Sequence, residues 1–226
     1  MKLRWTVALL AATTMSGAVA QDTTSEKGKL SYAVGYQIGR DMSERKLDVD
    51  LNTVIRAVQD GYAKRDPSVP PEQMGAALES MQKKMVAEAK AEFDKVAAEN
   101  KRKSDAFLAQ NRSKTGVQTL SSGIQYRVIE NGTGAKPTAN STVSIHFRGS
   151  LSTGQEFAST YQGNEPVTIA VTEAPLPGLR QILPMMSQGS RWEVFFPSDQ
   201  AYGDNPRSPI GPSQAVVFDV KLVEVK

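Results

Sequence analysis

Apolar residues recur along this chain in two different periods, and the change between them falls near residue 116. Leu30, Tyr32, Ala33, Ile38 and Met42 lie close to the i, i+3, i+4 spacing of a helix, with Gly35 and Gly39 open to a close neighbour. A second helix is predicted after Asp50, a suitable N-cap, and carries Leu51, Val54, Ile55, Val58 and Tyr62. The DPSVPP run at 66–71 then breaks the chain, and Pro71 suits a first helical turn, where its missing N–H costs nothing. From there to about residue 111 no further proline intervenes, which predicts a helix roughly 60 Å long. Its first half carries a stripe of Met74, Leu78, Met81 and Met85. Its second half is almost all polar, with Phe93, Val96 and Phe107 among the exceptions. A helix polar on all sides reads as a solvent-bridging element, not a core element.

Beyond residue 116 the period shortens to two. Strand patterns fall at 123–128, 143–151, 156–157, 166–171, 191–196 and 216–225, with a hairpin signal in Ser152, Thr153 and Gly154. Only 178–183 looks helical. An antiparallel sheet with one short helix, preceded by long helices, makes the fold class α+β. The stretch RWEVFFPSDQAYGDNPRSPIGPSQAVVFDV, residues 191–220, organises this half. Two strand patterns flank a loop stiffened by Pro206, Pro209 and Pro212 and shaped by Gly203 and Gly211. Tyr202 and Ile210 are the large apolar groups on that loop, and they read as the walls of a pocket.

Composition narrows the chemistry. Lys2 and Arg4, the apolar centre Val7 to Ala12, and Ala18-Val19-Ala20 form a secretory signal peptide, with cleavage expected after Ala20. Without Lys2 and Arg4 the formal charge drops from +3 to +1, and no basic patch interleaves with aromatics, so no nucleic acid partner is expected. No later segment approaches the ~18 apolar residues of a membrane span. The absence of cysteine removes disulfides and thiol chemistry, and a single histidine, His146, removes His-rich metal sites. In VSIHFRG, His146 alternates against Val143, Ile145 and Phe147, which puts it on the polar face of a strand. Neither metal nor cofactor is expected.

The residues VSIHFRGSLSTGQEF, PGL, GSRWEVFFPSDQAYG and PIGPSQAVVFDVKLVEV resemble an FKBP-type peptidyl-prolyl cis-trans isomerase domain. With LSYAVGYQIG, the long helix, AENKRKSDAFLAQN and LSSGIQYRVI, nearly the whole chain beyond residue 20 is similar to the macrophage infectivity potentiator class. These are exported, two-part FKBPs of Gram-negative bacteria. The resemblance implies a signal peptide at 1–20, a helical dimerisation domain at 21–70, a connecting helix at 71–115 and an isomerase domain at 116–226. It implies a homodimer through the N-terminal helices. The apolar stripes alone serve equally well a self-contained three-helix bundle. It also implies a periplasmic location, soluble, associated with the outer membrane or secreted.

By the same resemblance, Tyr202, Phe157, Ile210 and Phe218 are catalytic. Tyr202 is expected to donate its hydroxyl to a substrate carbonyl, the Ile210 backbone N–H to bind another, and Phe157 and Phe218 to wall the proline ring. Leu176 matches a pocket position. Four substrate-binding positions depart from the family: Phe147 for tyrosine, Ala158 for aspartate, Leu179 for tryptophan and Val167 for an aromatic. Phe147 and Ala158 read as one coupled change, since a buried tyrosine hydroxyl without its carboxylate partner costs ~1–3 kcal/mol. The expectation is therefore weak isomerase activity on proline-containing polypeptides, and weak binding of any macrolide ligand. The alternative is a dimeric periplasmic chaperone whose isomerase site is largely inactive.

Overall fold

The computed structural model describes residues 22–226, so the expected signal peptide and its cleavage point lie outside the described residues. Three helices open the chain: α1 (Glu26–Glu44), α2 (Leu51–Tyr62) and α3 (Pro71–Arg112). Ser25 caps α1 by accepting from the Gly28 N–H, and Asp50 caps α2 by accepting from the Thr53 N–H at 2.8 Å. The expected N-cap is the observed one, and α3 starts at Pro71. The chain divides after Met74 into two compact units. Among the described residues of the first unit, only Gly28 is buried. Leu30 is 67% exposed, and Val34, Ile38, Ile55 and Val58 are exposed as well.

The second unit holds a seven-stranded antiparallel sheet. Its strands are β1 (Gln118–Thr119), β2 (Gln125–Glu130), β3 (Thr142–Leu151), β4 (Glu156–Ser159), β5 (Val167–Ala170), β6 (Arg191–Phe196) and β7 (Val216–Val225). A short helix, α4 (Pro177–Ile182), precedes β6. The order is β1-β2-β6-β7-β3-β4, and β5 pairs with the first residues of β3 while β4 pairs with later ones. The predicted strands are present with ends shifted by a residue or two; β1 is an addition. The β3–β4 turn is closed by Gly154, at φ +91°, whose N–H donates to the Leu151 carbonyl at 2.9 Å.

The core lies between α4 and one face of the sheet. Val216, Phe218, Val220 and Leu222 of β7 point into it in alternation, as the pattern predicts. Leu179 and Ile182 of α4 and the adjoining Leu183 close it from the helix side. Each such side chain stabilises the fold by ~1.5–3 kcal/mol on burial. Gly178 lets α4 come this close, because a Cβ there would stand 2.3 Å from Phe196 Cδ1.

The opposite face is covered in part by the last turns of α3, which corrects the reading of that segment as solvent-bridging. Ser104 is 4% exposed and Asn111 is fully buried. Asn111 Nδ2 donates to Gln125 Oε1 at 3.0 Å, while Gln125 Nε2 donates to the Leu108 carbonyl at 2.8 Å. Phe107 tilts against Phe195, with ring centroids 6.1 Å apart. The error has a physical cause: beside a single aromatic contact, polar side chains enter a buried interface when backbone and amide groups take up their donors. The α3 cover also explains why 194–196 is apolar at consecutive positions. Val194 and Phe196 serve the α4 face, and Phe195 serves the α3 face.

Candidate active site

An aromatic box forms where β3, β4 and β7 meet the 203–215 loop. Phe218 of β7 is buried and stands at its centre. Its ring lies 5.7 Å from that of Phe147 (β3), 6.0 Å from that of Phe157 (β4) and 5.7 Å from that of Phe196 (β6). Phe157 in turn meets Tyr202 edge-on at 5.9 Å. Edge-to-face packing sets the positive ring edge of one aromatic on the negative face of the next.

Local backbone features aim these rings. Gly149 and Ser150 on β3 pair with Ala158 and Glu156 on β4, so Phe157 is the extra residue of a bulge. A bulge re-aims a side chain, and the Phe157 ring swings over Gly149. A Cβ on Gly149 would stand 3.0 Å from both Phe157 Cζ and Phe218 Cζ. Tyr202 follows a one-turn helix at Ser198–Gln200 and precedes Gly203, at φ +61°. The Gly203 N–H donates back to the Ser198 carbonyl at 2.8 Å, which fixes the bend.

Leu176 and Leu179 lie at the start of α4, both buried in the core behind the box. Ile210 is half-buried against the same core. Its N–H is engaged by Ser208 Oγ at 3.3 Å, a long bond that a substrate carbonyl would have to displace. Ala158 is half-buried opposite Gly149, while Val167 on β5 remains 40% exposed. The structure thus joins Phe147, Phe157, Tyr202 and Phe218 in ring contact, seats Ile210, Leu176 and Leu179 on the shared core, and leaves Val167 open to solvent.

No formal charge is carried by any of these nine side chains. Among the described residues no partner reaches the Tyr202 hydroxyl, and burial alone pushes its pKa above the ordinary tyrosine value. It is a neutral donor pointing from an apolar box. His146 sits on the outer face, stacked on Tyr161 at 5.0 Å with Nδ1 3.1 Å from Thr160 Oγ1. Among the described residues no His, Cys, Asp and Glu side chains cluster as a metal site.

Sequence reasoning missed Gly149 and Phe196. Gly149 had a signal: a glycine at an inward strand position marks close approach of another group. Phe196 had none beyond its place in an apolar run.

Comparison with known proteins supplies the family. Residues 27–128 match the domain amino-terminal to FKBP-type peptidyl-prolyl isomerases, and 133–223 match the FKBP-type peptidyl-prolyl cis-trans isomerase domain. The chain is 40% identical over 221 residues to the outer membrane protein MIP of Legionella longbeachae, covering 96% of this chain and 94% of that one. It is 32% identical to the peptidyl-prolyl cis-trans isomerase Mip of Coxiella burnetii, covering 97% and 95%. Among solved structures, FkpA from Escherichia coli superimposes with a TM-score of 0.71 at 28% identity, covering 90% of this chain and 98% of that one. The chain belongs to the FKBP-type peptidyl-prolyl cis-trans isomerases, with the amino-terminal helical domain of their Mip- and FkpA-like members.

Proposed function

We propose that this protein is an exported isomerase of Xaa-Pro bonds whose apolar box of Phe157, Phe218 and Tyr202 carries a reduced activity. Rotation about the C–N bond breaks no covalent bond and meets a barrier of ~18–20 kcal/mol. The twisted amide loses resonance and charge separation, so a dry apolar wall favours it over the planar ground state. Phe157 and Phe218 supply that wall. Tyr202, unpartnered and neutral, supplies a donor for a carbonyl of the substrate. In unfolded chains the uncatalysed step takes tens of seconds, slow enough to limit folding.

Reduced activity follows from Phe147, Ala158, Leu179 and Val167, none of which offers a hydrogen bond or a charge to the substrate. A lost contact worth ~1.4 kcal/mol in the transition state costs about tenfold in rate. The same vacancy makes macrolide binding weak. The observation that carries the proposal is the contact chain Phe147–Phe218–Phe157–Tyr202. The test is NMR exchange on a short peptide with an apolar residue before proline. Catalysed exchange that falls on Tyr202→Ala supports it, whereas a rate indifferent to that change sinks the site assignment.

A second reading concerns the helices. The exposed row of α1 and α2 supports assembly of two copies through the 21–70 segment, with capture of unfolded chains as an added role. Export, to the periplasm or the outer membrane, is supported by the signal-peptide pattern and by the outer-membrane name of the Legionella relative. A truncation that begins at about residue 96, and so keeps the last turns of α3 on the sheet, should stay folded and lose protection of an aggregating client. Equal protection by the full chain would count against the chaperone role.

A further inference from the structure

The 203–215 loop carries Ile210 and follows directly on Tyr202, yet its own strand-like partners are few. Three of its internal bonds tie its end to Gly203, Asp204 and Ile210. The Ser213 N–H donates to the Gly203 carbonyl at 3.0 Å, Ser213 Oγ donates to Asp204 Oδ1, and Gln214 Nε2 donates to the Ile210 carbonyl at 3.1 Å. Ser213 adopts φ +54°, a left-handed conformation that a non-glycine residue keeps only where its surroundings impose it.

Those surroundings include α3, more than a hundred residues earlier in the chain. Ser104 Oγ donates to the Ser213 carbonyl at 3.0 Å and accepts from the Ala215 N–H at 2.8 Å, bridging two backbone groups with one hydroxyl. One turn before it, on the same helix face, Asn100 Nδ2 donates to the Pro212 carbonyl at 2.9 Å. Three consecutive anchor points of the loop, at 212, 213 and 215, are therefore held by two side chains of α3. The Ser213 bond ends on Gly203, next to Tyr202, and the Gln214 bond ends on Ile210.

We propose that Ser104, with Asn100 beside it, is a positioning residue of the isomerase: the last turns of α3 latch the 203–215 loop and so fix Tyr202 and Ile210 at the pocket. The inference rests on the pocket reading given above and deepens it. It assigns α3 a part in catalysis through the loop it holds. Removing the hydroxyl leaves a buried N–H and a buried carbonyl unpaired, and the loop gains freedom where substrate must be met.

The test uses the full chain with Ser104→Ala, Asn100→Asp and Asn111→Ala. The last removes one of the two α3–Gln125 hydrogen bonds without touching the loop and reports on helix docking alone. Ser104→Ala is expected to lower kcat/KM on a prolyl peptide by roughly tenfold. Asn100→Asp should lower it by a smaller factor in the same direction, and Asn111→Ala should leave it near wild type. Amide hydrogen exchange should quicken across 203–215 in the first two variants and not in the third. Two results overturn the latch while leaving the pocket intact: a wild-type rate in Ser104→Ala where Tyr202→Ala is impaired, or equal losses in Ser104→Ala and Asn111→Ala. Unchanged exchange of the loop in Ser104→Ala overturns it without reference to turnover. A catalysed rate that does not depend on Tyr202 overturns the pocket reading, and the latch with it.

Discussion

Phe157 and Tyr202 meet edge to face, with ring centroids 5.9 Å apart and planes at 77°. One comes from the bulged edge strand β4 and the other from the loop beyond β6, so the contact closes the box between sheet and loop. Tyr202→Phe keeps the ring contact and removes the donor, whereas Tyr202→Ala removes both. The first should lower kcat/KM about tenfold and the second further, as read by NMR exchange on a prolyl peptide.

The pH profile carries a sign. Burial raises the Tyr202 pKa above its ordinary value near 10.0, so the donating form persists past the point where a free tyrosine ionises. The rate should therefore show no loss from this group between about pH 6 and pH 10. The folded state prefers the neutral phenol. Its contribution to stability is complete below the ordinary value and declines as pH rises from there through the raised one. A fall in rate centred near neutrality, absent in Tyr202→Phe, would contradict this.

Gly149 is held to glycine by its neighbours. Its Cβ would stand 3.0 Å from Phe157 Cζ and Phe218 Cζ, both at ring ends packed against further aromatics. Gly149→Ala should destabilise the isomerase domain by ~1–3 kcal/mol and reduce activity through displaced walls. Thermal unfolding and peptide exchange on the same sample check both effects.

Phe147 and Ala158 lie diagonally across the β3–β4 ladder, since Gly149 is the direct partner of Ala158. If the two positions changed together, Phe147→Tyr combined with Ala158→Asp should raise kcat/KM above wild type. Phe147→Tyr alone should instead cost ~1–3 kcal/mol of stability, because its hydroxyl enters the box without a partner. A double-mutant cycle in denaturant measures the coupling.

Leu30, Val34 and Ile38 repeat every four residues on one exposed face of α1. Leu30→Glu with Val34→Glu should convert a dimer into a monomer by sedimentation, leaving turnover of short peptides within about twofold. A monomeric wild-type chain would contradict the proposed assembly.

Much of this protein is written locally. The helix starts at Asp50 and Pro71, the strand over 216–225 and the turn at Gly154 follow from capping, fixed φ and period two, all of which act within a few residues. The aromatic positions of the box were legible from motif resemblance, because each sits inside a contiguous stretch. The α3 face was not. Asn100, Ser104 and Asn111 look like solvated polar residues, and only the return of the chain at Pro212, Ser213 and Gln125 supplies the partners that bury them.

What the sequence determined by itself is the α+β class, the order of its elements, the family and the positions of the aromatic residues that the fold brings together. Short-range rules and contiguous motifs carry all of these. What only the tertiary structure decided is how the rings are aimed and what holds the loop: the bulge at Phe157, the space left by Gly149 and the bridge from Ser104 to Ser213 and Ala215. The bulge and the space at Gly149 depend on strand pairing, and the bridge on hydrogen-bond donors and acceptors that meet across more than a hundred residues. No local period records that pairing.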